Sequence, residues 1–489
     1  MIASSPLKTK FIQMKLKFLL LITVFLVKTG LANAEIVLPS LIGDGMVLQQ
    51  NTTINIWGKA TKNSKITIKV SWKEENYGAT ADNNGNWEIK IPTISGGFTK
   101  HTITIVNGTD KVVLKDILLG EVWLAGGQSN MEMNPQGLPH QPLNNAIDEI
   151  LDFDYPYIRF FLVKRAHDKT PKEDVEGNWT LPTPETVKNF STIGFNFSKI
   201  LNKTLKMPVG IIGCYWGGTK IEAWISDEAI QKVKADNKDI RIIDTATSVA
   251  QTPSILYNGM VHPIRKYQIA GCIFYQGESN VMDPKAYSEL FPAMIADWRK
   301  SFNKDFTFLY VQIAPYNYDN RGWKSDGIEA ALFREVQILS QSKIPKSGIV
   351  STTDVGAEFT IHPPEKRPVA KRLAYLALAK VYYQGHFEAL APQYVSHKIE
   401  DNFVSVRFKN VALGLTTFYQ EYEGFEVAGE DGVFLKAKVR KKKGTRDWLE
   451  LYNDKVAKPV AARYGFRNYI YGNLYNSYGI AALPFRTDK

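Results

Sequence analysis

The chain has 489 residues, of which 44% are hydrophobic and 22% charged. That balance excludes a disordered or collagen-like chain and leaves room for about three domains. The formal charge of +11 falls to +6 once the five lysines of residues 1–34 are set aside, too little to mark a nucleic-acid binder.

The first predicted element is a targeting segment. Lys15 and Lys17 precede the apolar run Phe18 to Val27, and Ala32-Asn33-Ala34 supplies an A-x-A cleavage signal, so cleavage is expected after Ala34. The run is too short to span a bilayer, no later run is apolar enough to do so, and Met14 is an alternative start. A secreted or periplasmic protein is expected.

Residues 35–116 read as an all-β sandwich. Thr53 to Trp57 and Lys65 to Val70 alternate with period two, and Asp82-Asn83-Asn84-Gly85-Asn86 and Gly96-Gly97 are turn signals. Aromatic residues reach 12%, which suits both sandwich cores and sugar-stacking surfaces.

Residues 117–388 change character. Apolar runs at 122–125, 209–215, 269–275, 306–313 and 347–351 alternate with helical patterns around Phe190 to Leu201, Tyr287 to Trp298, and Pro363 to Val381. This predicts an α/β domain with a doubly wound parallel sheet of five strands. Cys214 and Cys272 lie in two of these runs and read as buried free thiols. The absence of CxxC, HExxH or His-rich tracts gives no expectation of a metal site, and no cofactor is called for. Residues 389–489 return to a β pattern, with Val404 to Phe408 alternating and turns at Gly429 to Gly432 and Gly444. The basic stretch from Lys436 to Lys443 reads as a solvated hairpin edge.

Ligands of an open α/β sheet bind outside the carboxyl ends of the strands. There the chain carries Gly126-Gly127-Gln128-Ser129-Asn130, then Trp216-Gly217-Gly218-Thr219, then Gln276-Gly277-Glu278-Ser279-Asn280, and finally Asp354 and His362. These residue types suit acyl transfer. Ser129, on a glycine-rich strand-to-helix turn, is the candidate nucleophile, and His362 the general base. An acid beside the imidazole would fix its tautomer. Asp354 at the strand end is the first candidate, Glu358 the second, and a Ser–His dyad aided by a backbone carbonyl the third. The backbone N–H groups of Ser129 and of Gly218 (or Gly217) and the side chain of Gln276 are candidate oxyanion donors. Trp216, Asn130 and Glu278 are candidate substrate-binding residues. His262 is a rival base that reads better as a packing residue.

The blocks Gly127-Gln128-Ser129-Asn130-Met131, Trp216-Gly217-Gly218-Thr219, Tyr275-Gln276-Gly277-Glu278-Ser279-Asn280 and Ile361-His362-Pro363 resemble the signature blocks of the sialate O-acetylesterases, in the SGNH-hydrolase superfamily. The similarity extends to Met46-Val47-Leu48-Gln49-Gln50 and Gly85-Asn86-Trp87 early in the chain. It recurs at Ala462-Arg463-Tyr464, Asn473-Leu474-Tyr475-Asn476 and Pro484-Phe485-Arg486-Thr487-Asp488 near its end. The resemblance implies a flavodoxin-like esterase domain flanked by β-regions, a catalytic serine, and an acetylated carbohydrate as substrate. Sialic acid and xylan or another plant polysaccharide remain alternatives, as does a binding protein with an inactive esterase core. Relatives often place the acid two or three residues before the histidine, where this chain has Thr360 and Phe359. The oligomeric state is not legible.

Overall fold

The computed structural model describes residues 35–240, 242, 248–318 and 327–488. The expected leader, residues 1–34, lies outside them.

The N-terminal region is built from alternating strands. β1 (Val47–Gln49), β2 (Thr53–Lys59), β3 (Lys65–Val70), β4 (Asn76–Thr80), β5 (Asn86–Pro92) and β6 (Gly97–Asn107) precede the long β7 (Asp110–Gly127). In β3 every second residue is buried, as a strand with one face on a core requires. β2 and β5 pair antiparallel, with Ile54 opposite Ile91 and Ile56 opposite Ile89. The turn from β4 into β5 is held by Asp82 Oδ1, which accepts from the N–H groups of Asn84 and Asn86 at 2.8 Å each.

β7 belongs to two sheets. Its first half pairs antiparallel with β6 and parallel with β1, while its second half enters the central sheet. The expected boundary at 116/117 falls inside this strand, at a kink. Asp116 has φ +57°, the β6 ladder slips between His101 and Ile103, and the Asp116 carboxylate holds Lys100 at 2.8 Å and Arg159 at 2.9 Å.

The central sheet continues with β8 (Ile158–Leu162), β9 (Trp179–Thr180), β10 (Val209–Tyr215), β11 (Gly271–Tyr275), β12 (Thr307–Val311) and β13 (Ser347–Val350). Its order is β13-β12-β11-β7-β10-β8-β9, parallel throughout except β9 at the edge. The five expected strands are present. β8 and β9 were not expected, because β8 carries Arg159, whose buried guanidinium is neutralised by Asp116.

Near-continuous apolar runs form these strands because both faces are covered. Trp123, Ile211, Ile273 and Leu309 face one core with Phe197, Leu201, Leu373 and Leu376, from helices Thr192–Leu205 and Arg367–Lys380. Leu124, Ile212, Phe274 and Phe308 face the other, with Tyr287, Phe291 and Trp298 from helix Pro284–Ser301. Cys214 and Cys272 are buried, unpaired thiols. The chain reverses its direction of progress across the sheet at β7, so the carboxyl ends of β7, β10 and β11 open on one crevice.

The C-terminal region adds two four-stranded sheets around a third core that includes Val404, Phe408, Leu449 and Tyr464. The basic stretch forms the edge strand Lys438–Lys441, with Lys438 paired to Asp454 and Arg440 to Glu450. The terminal strand Phe485–Arg486 pairs with Ala461–Tyr464, and Arg486 reaches Glu335 at 2.8 Å. Among the described residues no helix is long and apolar enough to cross a membrane.

Candidate active site

Ser129 stands immediately beyond β7, as the first residue of the short helix Ser129–Glu132. The turn before it can only be glycine. Gly127 has φ +134°, and a Cβ there would lie 2.1 Å from the carbonyl oxygen of Tyr275 in β11. Gln128 N–H donates to that same carbonyl at 2.9 Å, tying the turn to the neighbouring strand.

The Ser129 hydroxyl lies 2.7 Å from His362 Nε2, across 233 residues of chain. His362 sits in the loop between β13 and helix Arg367–Lys380. Its Nδ1 lies 2.6 Å from Gln141 Oε1, which also accepts from the Thr360 hydroxyl at 2.7 Å. Thr360 in turn accepts from the His362 backbone N–H at 3.2 Å. An amide oxygen only accepts, so Nδ1 carries the proton and Nε2 presents its lone pair to the Ser129 O–H. Gln141 is held by the turn it closes, with Gln141 N–H on Leu138 O at 2.8 Å and Leu138 N–H on Gln141 O at 3.0 Å.

Asp354 does not occupy that position. Its carboxylate forms a two-pronged pair with Arg372, at 2.8 and 2.5 Å, and Arg372 also donates to Ser351 O. The pair is nearly buried, with side-chain exposures of 6% for Arg372 and 9% for Asp354. It joins the end of β13 to the helix behind it and serves the fold. Asp354→Asn is therefore expected to cost about 3 kcal/mol of stability, because a buried guanidinium loses its counter-charge. Turnover per folded molecule should stay within threefold. Thermal melting and active-site titration check the two halves of this prediction. Glu358, the second candidate acid, lies near Tyr469, whose hydroxyl is pushed up by burial first and by the Glu358 charge second.

Gln276 is likewise redirected. Its amide donates to Thr219 O at 3.2 Å and to Asn280 Oδ1 at 2.9 Å. Asn280 cannot be turned around, since Oδ1 accepts from Ile221 N–H and Nδ2 donates to Glu222. Both Gln276 donors are thus engaged in bracing the loops after β10 and β11, and neither is free for an oxyanion. The Gly217 N–H is also occupied, by Glu132 Oε2 at 2.8 Å. Among the described residues the N–H groups of Ser129 and Gly218 make no hydrogen bond. Gly218 is exposed with φ +75° and open space where a Cβ would be. The turn it belongs to packs on Ser129, with the Cβ position of Gly217 only 3.2 Å from Ser129 Cβ.

Asn130 and Glu278 were expected to touch substrate, but both are buried, at 0% and 5% exposure. Asn130 Nδ2 donates to Glu278 Oε1 at 2.5 Å and to Ile361 O at 3.0 Å, and its Oδ1 accepts from Lys366 Nζ at 2.7 Å. Trp216 is the substrate-binding candidate that does reach the rim. It is half-exposed, with Arg165 over its ring at 5.5 Å and His167 at 6.2 Å. Arg165 is itself held by Glu132, Nε to Oε1 at 3.0 Å. His262 lies elsewhere, its Nδ1 2.8 Å from Lys172 O and its basicity lowered by burial.

Lys366 is the most perturbed charge near the site. Burial pushes its ammonium down to about 7, partly opposed by the Glu278 charge. Between about pH 7 and its ordinary value near 10.5 the unfolded chain holds a proton that the folded chain has released. This group's contribution to stability therefore rises with pH in that window and is flat below it. Urea unfolding should find the wild type gaining stability relative to Lys366→Met between pH 7 and 9.

Sequence reasoning missed Gln141, Thr360, Glu132, Arg165 and Lys366. Of these only Thr360 is singled out by the sequence, as one of the two positions where relatives often place the acid.

Comparison with known proteins agrees with this architecture. The family model described as carbohydrate esterase, sialic acid-specific acetylesterase, matches residues 119–376, more than half of the chain. The human sialate O-acetylesterase is 28% identical over 391 residues, covering 72% of this chain and 73% of that protein. The rat sialate O-acetylesterase is 28% identical over 404 residues, covering 70% and 73%. The crystal structure of a carbohydrate acetylesterase from Xanthomonas citri superposes with a TM-score of 0.83 at 29% identity, covering 93% of this chain and all of that one. The chain thus belongs to the carbohydrate esterase family of sialic acid-specific acetylesterases, and is a carboxylic-ester hydrolase.

Proposed function

We propose that this protein is an exported serine esterase that removes O-acetyl groups from sialic acid or a related glycan. The observation that carries the reading is the 2.7 Å approach of Ser129 Oγ to a His362 Nε2 whose lone pair is turned toward it by Gln141. The strand order around β7 also supports an SGNH-type, flavodoxin-like domain, because it continues the 2-1-3-4-5 pattern with β8 added outside.

In the first half-reaction His362 takes the Ser129 proton as Oγ bonds to the acetyl carbonyl carbon. The tetrahedral oxyanion is held by the N–H groups of Ser129 and Gly218, both without a hydrogen bond among the described residues. Its collapse breaks the bond from carbon to sugar oxygen, and His362 returns the proton to the departing sugar alcohol. Water, deprotonated by His362, then attacks the acetyl-enzyme carbonyl carbon; collapse breaks the bond from that carbon to Ser129 Oγ, and His362 returns the proton to Oγ as acetate leaves. Throughout, the amide oxygen of Gln141 keeps the Nδ1 proton in place. The half-exposed face of Trp216 offers an apolar platform for a sugar ring.

The test compares acetate release from O-acetylated sialic acid and from acetylated xylan. The expected result is a kcat/KM at least tenfold higher on the sialic acid, and a reversed ratio reassigns the substrate to plant polysaccharide. Export is tested by fractionating the native host, where the mature protein should start at Glu35 and lie outside the cytoplasm.

A further inference from the structure

We propose that Asn130 is a positioning residue that locks the nucleophile turn to the histidine loop. Its side chain is the strap, and the Glu278 and Lys366 side chains fix its orientation. The assignment rests on Ser129 and His362 being the reacting pair.

The geometry allows only an amide at 130. Asn130 follows Ser129, and one of its two donors holds the carbonyl of Ile361, the residue before His362, at 3.0 Å. The strap thus spans the two backbone points that set how far apart the hydroxyl and the imidazole stand. Its other donor goes to Glu278 Oε1 and its acceptor takes Lys366 Nζ, so every polar position of the amide is engaged. The Glu278 carboxylate only accepts and, below about pH 7 where Lys366 keeps its proton, the ammonium only donates, so turning the amide over would set oxygen against carboxylate and N–H against ammonium. All three side chains are buried, at 0%, 5% and 2% exposure, so water cannot replace a lost contact. A misplacement of about 1 Å between reacting groups can cost on the order of 10²-fold in rate.

The experiment uses the full-length enzyme with 4-nitrophenyl acetate and a serine-directed phosphonate. Asn130→Asp keeps the shape of the side chain but places oxygen against Glu278 and Ile361. It is expected to lower kcat about 100-fold, with KM within threefold, and to slow phosphonylation of Ser129 by a similar factor. The double variant Asn130→Asp/Glu278→Gln restores a donor facing residue 130 while Lys366 still binds the other oxygen. It is expected to recover at least tenfold of the lost kcat. Wild-type turnover in Asn130→Asp overturns the proposal, as does a double variant no faster than the single. A rise in KM at unchanged kcat also overturns it, since that would put Asn130 on the substrate. Failure of the underlying reading is distinguishable, because it would appear as phosphonate labelling at a residue other than Ser129 in the wild type.

Discussion

Ser129→Ala is expected to lower kcat for acetate release by at least about 10⁴-fold with the fold intact. The hydroxyl is half-exposed and, among the described residues, its side-chain partner is His362, so removing it leaves no buried group stranded. The substitution also preserves the Ser129 backbone N–H and the Gly218 N–H. The residual rate should therefore stay above that in water, because oxyanion donors and substrate binding continue to act. Two measurements check this. Release of 4-nitrophenol from 4-nitrophenyl acetate should fall as stated, and a phosphonate adduct seen by mass spectrometry on the wild type should be absent from the variant. A melting temperature within a few degrees of the wild type would show that the loss is chemical.

Gln141→Ala is expected to lower kcat by about 10²- to 10⁴-fold, the range spanned by loss of a general base's positioning and by a wrong tautomer. Loss of Oε1 removes an acceptor that holds the proton on Nδ1, and the alternative tautomer turns an N–H toward Ser129 Oγ instead of a lone pair. Thr360 loses its acceptor in the same step, which loosens the loop backbone at His362. Gln141→Glu separates the two roles of the position. A carboxylate still accepts from Nδ1, so activity should largely survive, but its charge stabilises the imidazolium and raises the imidazole pKa. Because the base must be unprotonated, the acid limb of the kcat/KM profile should move to higher pH. The pH–rate profiles of wild type, Gln141→Ala and Gln141→Glu read all three effects.

These two residues differ sharply in how visible they were. Ser129 stands on a glycine turn after an apolar run, and His362 lies in a short loop before a helix, so type and local context mark both. Gln141 is a glutamine in a proline-rich loop, 221 residues before His362, and nothing local distinguishes it from a solvent-exposed amide. Asp354 looked like the acid because it follows β13 closely. Arg372, 18 residues further along, takes its carboxylate instead. Asn130, Glu278 and Gln276 sit in blocks whose polar types suggest contact with substrate. Each is buried and bonded to another loop of the same crevice.

The sequence by itself determined the five central strands β7, β10, β11, β12 and β13 with three of the helices packed on them, and that these strands are covered on both faces, while β8 and β9 escaped it. Those features follow from the spacing of apolar residues and from glycines at tight turns, and both act over a few neighbours along the chain. Only the tertiary structure decided which polar group faces which. The partner of a buried carboxylate or imidazole is set by strand order and helix docking between segments far apart in the chain. A buried polar side chain must take whichever partner the fold delivers within about 3 Å.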